Sequence, residues 1–125
     1  MSRQDPLVLV VDDDATVRKV LKIALERAHL RVLTAEHGVD ALAQLDAAGE
    51  PVDVILSDVV MPEMGGVALC EAALKRPQPP RIILMSGFNH DPARLRVAGK
   101  SAPFVQKPFD MDDVVRRVRS EIGPA

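Results

Sequence analysis

Five short apolar runs punctuate the chain, at Leu7–Val11, Arg31–Ala35, Val52–Leu56, Arg81–Met85 and Pro103–Val105. Four of them are β-branched or Leu-rich without polar alternation, the pattern of strands buried on both faces of a parallel sheet. The segments between them carry a helical period instead. Val17, Leu21, Ala24, Leu25 and Ala28 share one helical face, and so do Ala41, Leu42, Leu45 and Ala48. Leu69, Cys70, Ala73 and Leu74 mark a third helix, and Met111, Val114, Val115, Val118 and Ile122 form the stripe of the last one. That last helix opens on Asp110, Asp112 and Asp113 and continues with Arg116, Arg117 and Arg119, so its charges match the helix dipole at both ends. A further helix is expected over Asp91–Ala98, short and strongly charged, with Pro92 near its start and Gly99 at its end.

Five β-then-α units with short loops predict a three-layer α/β sandwich with right-handed crossovers. Ligands in such open sheets bind beyond the carboxyl ends of the strands. The residues there are Asp12–Asp14, Glu36–His37, Ser57–Asp58, Ser86–Gly87 and Gln106–Lys107–Pro108. No Gly-rich phosphate loop opens the first helix, which disfavours a dinucleotide or Walker-type site.

Composition narrows the picture further. At 125 residues the chain is expected to form one domain with a real core, and a net charge of −2 leaves no nucleic-acid footprint. The absence of Trp and Tyr argues against a stacking platform for single strands. The longest apolar runs fall far short of the roughly 20 residues of a membrane span, and the N-terminus MSRQDP lacks a signal-peptide core. A lone cysteine, Cys70, suits a reducing, cytoplasmic setting and reads as a small core residue. His29, His37 and His90 are scattered without neighbours at ligand spacing, so a metal role for them is not expected.

The chemistry lies in LVLVVDDDAT, where five apolar residues run into three aspartates. Two carboxylates about 4 Å apart repel by roughly 1 kcal/mol in water and about 4 kcal/mol at an effective dielectric near 20. Alone, the triplet reads equally well as a solvated turn with a helix cap. Asp58, Ser86 and Lys107 at three other strand ends favour a site. Asp12, Asp13 and Asp58 would converge as oxygen ligands for a hard divalent cation, with the Lys107 ammonium and the Ser86 hydroxyl facing them. Such a group can hold a phosphoryl transfer, the carboxylate attacking phosphorus while metal and ammonium neutralise the equatorial oxygens. Asp14 is assigned to the cap of the following helix rather than to the metal.

Four segments, VVDDD (Val10–Asp14), ILSDVVMPEMGG (Ile55–Gly66), IILMSG (Ile82–Gly87) and FVQKPF (Phe104–Phe109), resemble in order and spacing the receiver domains of two-component response regulators. The resemblance spans nearly the whole chain. It implies a flavodoxin-like (βα)5 sandwich with strand order 2-1-3-4-5, filling residues 1–125 with a core of about 6–122 and no output domain. It further implies that Asp58 is the phosphoacceptor and that Asp12 and Asp13 hold Mg²⁺, or Mn²⁺ in its place, with the backbone carbonyl of Val60. Ser86 matches the switch hydroxyl, Lys107 the family lysine before a cis proline, here Pro108, and Phe104 the aromatic that changes rotamer. The implied partners are a histidine kinase or histidine phosphotransfer protein, then a downstream effector or a second copy, with neither nucleic acid nor membrane bound directly. The face of the fourth helix, fifth strand and fifth helix would carry the output.

The chain departs from the family pattern in places. Asp14 replaces a frequent Glu, and Gly65 stands where MPxMDG receivers have Asp, which is expected to loosen the loop after Asp58. Val60 and Phe88 occupy positions that influence water attack on the acyl phosphate; both are apolar, and slow self-dephosphorylation is expected. Two rival readings carry their own signatures. An aspartate-nucleophile phosphatase wants a second acid two residues on, where Asp58 is followed by Val59 and Val60. A degenerate receiver that only binds would be expected to lack Asp58 or Lys107, and both are present.

Overall fold

The computed structural model describes residues 5–87 and 95–123. Strands β1 (Leu7–Val11), β2 (Arg31–Ala35), β3 (Val54–Asp58), β4 (Arg81–Ser86) and β7 (Phe104–Gln106) form one parallel sheet in the order β2-β1-β3-β4-β7. Helices α1 (Ala15–Arg27), α2 (Gly38–Ala47), α3 (Gly66–Leu74) and α4 (Met111–Ile122) cover its two faces. This is the flavodoxin-like order 2-1-3-4-5, counting only the strands of that sheet. No helix among the described residues is long and apolar enough to cross a membrane.

The unbroken apolar character of β1 has a simple cause. Leu7, Leu9 and Val11 point to a core shared with Ala41, Leu45, Leu69 and Cys70 of α2 and α3. Val8 and Val10 point to the opposite core, with Leu21 and Leu25 of α1 and Val114 and Val118 of α4. A strand with helices on both sides can spare no position for a polar residue.

At the amino ends of the strands, Asp53 acts as a clasp. Its Oδ2 accepts the Leu7 N–H at 2.8 Å, its own N–H donates to the Leu7 carbonyl, and its carbonyl accepts from Arg81. Strand β3 starts just after Asp53, two residues later than the apolar run suggests, and extends through Asp58. On β7 the shift is by one residue: Pro103 has no N–H to donate, but its carbonyl accepts from Leu84 N and opens the pairing.

The expected fourth helix is corrected. Residues 91–94 lie outside the described residues, but Arg96–Val97 (β5) and Lys100–Ser101 (β6) form an antiparallel hairpin rather than helix. Ala98 and Gly99 both have positive φ, as a two-residue type I′ hairpin turn requires, and Gly99 adopts it without strain. Leu95 and Val97, two apart, both pack onto the core beside α3, a strand-like period of two that a short charged segment hides. Glu71 of α3 accepts the Ala98 N–H at 3.1 Å and fastens the hairpin. The proposed output face is thus flanked here by a hairpin where a helix was expected.

Candidate functional site

Parallel strands deliver their carboxyl ends to one edge, and the register decides what meets there. Val11 pairs with Ser57, which sets Asp12 level with Asp58, and Ser86 pairs with Gln106, which sets Lys107 one step beyond. Carboxylate oxygens of Asp12, Asp13 and Asp58 lie within 4.8 Å of one another. The Lys107 ammonium reaches across the cluster, 2.7 Å from Asp12 Oδ2 and 3.4 Å from Asp58 Oδ2.

The three carboxylates differ in their surroundings. Asp12 is fully buried, its Oδ1 accepting from the Asp14 N–H at 2.9 Å and its Oδ2 from Lys107. Asp58 keeps a 13 % exposed side chain, with Oδ1 accepting from Val59 N at 2.9 Å. Asp13 is exposed. Burial pushes the Asp58 carboxyl above the ordinary aspartate range; the Lys107 ammonium opposes the shift and the Asp12 carboxylate adds to it. For Lys107, burial acts to lower the ammonium, but the hydrogen bond and charge of Asp12, with Asp58 behind them, outweigh it and the net direction is up. The ammonium therefore stays charged.

An all-oxygen donor set of this size fits a hard divalent cation, and one exposed member leaves a path for the ion and its waters. The cluster can hold such a metal through Asp12, Asp13 and Asp58.

Around this centre the remaining residues take different places. Ser86 is buried at the end of β4, and its carbonyl accepts the Lys107 N–H at 2.7 Å. The Lys107–Pro108 peptide is cis. Phe104 is half-buried against the core, Val60 stands 63 % exposed beside Asp58, and Phe88 lies outside the described residues. Asp14 caps α1, its Oδ1 accepting from Thr16 N and Val17 N.

A family model for the response regulator receiver domain matches residues 8–119. The chain belongs to this family. Among curated relatives it is 39% identical over 121 residues to the DNA-binding transcriptional regulator NtrC of Salmonella typhimurium, covering 96% of this chain and 25% of that protein. It therefore spans about a quarter of the length of its NtrC relatives. It is 32% identical to the response regulator receiver protein CpdR of Brucella abortus, covering 89% of this chain and 92% of that protein. Among solved structures, the chemotaxis response regulator CheY4 of Vibrio cholerae superposes with a TM-score of 0.79 at 29% identity, covering 92% of this chain and 99% of that one. The protein is thus a receiver domain of two-component signal transduction, with an acidic pocket compatible with phosphorylation.

In this receiver the loop after Asp58 is held without a capping side chain. Gly65 is the N-cap residue of α3 and makes no side-chain cap, but Gly66 N donates to Val59 O at 2.9 Å and draws the loop closed. Met61 is buried within it and Met64 packs against the core. His37 serves as the N-cap of α2, its Nδ1 accepting from Asp40 N at 3.2 Å, a structural role for a histidine in a loop. Arg18, whose guanidinium donates to the Asp12 carbonyl at 2.7 Å, has no distinguishing signal in the sequence. Four residues after Asp14, it looks like half of a solvated surface pair.

Proposed function

We propose that this receiver accepts a phosphoryl group on Asp58 from a phosphohistidine of a cytoplasmic histidine kinase or phosphotransfer protein, in a step that requires Mg²⁺ or Mn²⁺. The observation that carries the reading is the Lys107 ammonium set between Asp12 and Asp58, with Asp13 open to solvent beside them. An Asp58 carboxylate oxygen attacks phosphorus, the O–P bond forms as the histidine N–P bond breaks, and the freed imidazole leaves with the nitrogen lone pair. Asp12, Asp13, Asp58 and the Val60 carbonyl would hold the metal, which when bound would supply positive charge toward the equatorial oxygens. Lys107 supplies more and does not need to travel, because its contact with Asp58 exists before the reaction.

Phosphorylation replaces the single carboxylate charge of Asp58 with a phosphoryl group carrying about −1.5 to −2 charges and three acceptor oxygens. Ser86 then turns its hydroxyl toward the new oxygens and Phe104 moves inward, shifting a two-state balance on the face around β7 and α4 that a downstream effector or a second copy reads. Val60 and Phe88, both apolar, orient no water, so the acyl phosphate hydrolyses slowly.

Intact-mass measurement after incubation with acetyl phosphate tests this reading. A single phosphoryl adduct that depends on Mg²⁺ and disappears in Asp58→Asn supports it. Absence of any adduct with and without Mg²⁺ points to a receiver that only binds, and turnover of phosphomonoesters points to a phosphatase. A phosphoryl half-life of seconds, with no kinase present, would overturn the slow-hydrolysis assignment.

A further inference from the structure

Arg18 sits on the second turn of α1, yet its side chain is only 17 % exposed because it folds back over the start of the helix. Its Nη1 donates to the backbone carbonyl of Asp12 at 2.7 Å. Its Nη2 lies 3.8 Å from Glu36 Oε1, but Glu36 is 68 % exposed, and an ion pair of that kind contributes little. The stronger contact is with the main chain.

That carbonyl belongs to the peptide joining Asp12 to Asp13. Asp12 is engaged at every polar atom: N–H to Ala35 O, Oδ1 from Asp14 N, Oδ2 from Lys107 and carbonyl from Arg18. Asp13 follows directly on that peptide, whose orientation sets where its backbone and Cβ stand.

We propose that Arg18 is a positioning residue for divalent-cation binding. By gripping the Asp12 carbonyl it fixes the Asp12–Asp13 peptide and so aims both carboxylates at the point they share with Asp58. The inference rests on the acidic cluster being the metal site of the proposed function. Geometry and electrostatics then predict opposite signs for loss of Arg18. A cation beside an acidic cluster repels an incoming cation, so its removal should tighten metal binding if charge were its whole contribution. Loss of a group that orients metal ligands weakens binding, typically by 10–100-fold.

Isothermal titration of the whole chain with Mg²⁺ alone, at constant pH and near-physiological ionic strength, separates the two. Arg18→Ala is expected to weaken binding by about tenfold while circular dichroism stays native. Arg18→Gln, neutral but with an N–H donor, is expected to recover part of the loss. Unchanged or tighter binding in Arg18→Ala, with wild type binding normally, overturns the inference and leaves the metal site standing. No Mg²⁺ binding by wild type overturns both. If Arg18→Ala fails to fold, Arg18→Met, of similar length but with no donor, decides: weaker binding than wild type supports positioning, and equal or tighter binding overturns it.

Discussion

Lys107 Nζ lies 0.7 Å closer to Asp12 than to Asp58, at 2.7 Å against 3.4 Å, although Asp58 is the proposed reactive carboxylate. The ammonium is bound first to the fully buried acid and shared with the accessible one. Its resting task is to make a buried charge tolerable, and the same placement leaves it at hand for a phosphoryl oxygen.

Removing that ammonium leaves Asp12 buried without its counter-charge. Lys107→Met is expected to lower stability by about 1.5–3 kcal/mol, the range for a charged hydrogen bond. Urea unfolding in the presence of a chelator checks this through a lower midpoint at unchanged slope. Millimolar Mg²⁺ should restore part of the loss, since a bound cation supplies the missing charge.

Asp13 should show the opposite sign. It crowds two other carboxylates, so Asp13→Asn is expected to stabilise the metal-free protein by about 1 kcal/mol, the scale of one carboxylate repulsion near a solvated surface. The same change should weaken Mg²⁺ binding at least tenfold. A variant that unfolds at higher temperature than wild type but takes up less metal would display function maintained against stability.

Gly66 is tied to the site by space. A Cβ there would lie 2.2 Å from the Asp58 carbonyl oxygen and 3.1 Å from Ser57 Oγ. The obstacle is main chain, which cannot swing aside, so Gly66→Ala must displace either the end of β3 or the start of α3. A loss of about 1–3 kcal/mol is expected, together with reduced phosphoryl uptake on Asp58 in the intact-mass assay. Gly65→Ala, 3.0 Å from the Val59 carbonyl, should be milder in both measurements.

Cys70 supplies a pH signature remote from the acidic cluster. Burial pushes its thiol up to about 12 from an ordinary 9.0, with Glu71 adding to the shift. The folded protein keeps this proton where the unfolded chain loses it, so the stability Cys70 contributes is full below pH 9 and declines from about pH 9 to about pH 12. Urea midpoints at pH 8 and pH 10.5 should therefore fall further for wild type than for Cys70→Ala. At pH 8 the native thiol should react with an aromatic disulfide reagent roughly a thousandfold more slowly than the unfolded one, following the thiolate fraction.

Much of the molecule was legible in the order of its residues, because parallel β/α units leave few choices. A strand apolar on both faces must lie inside a sheet, so Leu7–Val11 announces its place, and Asp12, Asp58, Ser86 and Lys107 reach one edge wherever all strands run the same way. Helix caps are equally local: Asp14 and Asp110 declare themselves by preceding a helical stripe. The segment around Leu95 and Val97 misled because it is too short for its period to stand out from its charge, and its contact with α3 lies more than twenty residues away.

Pairing across distance was beyond the sequence. That Lys107 favours Asp12 over Asp58 depends on how the ends of β1, β3 and β7 settle against one another, a matter of tenths of an ångström. The same holds for Asp53 clasping Leu7 and for Gly66 lying against Asp58 O. Arg18 shows it at shorter range: its spacing fits a solvated side chain, and only the folded β1–α1 turn presents it with a carbonyl to grip. Periodicity is written locally and sets the layers; hydrogen bonds between segments are made only once the layers have closed, and they decide how LVLVVDDDAT becomes a site.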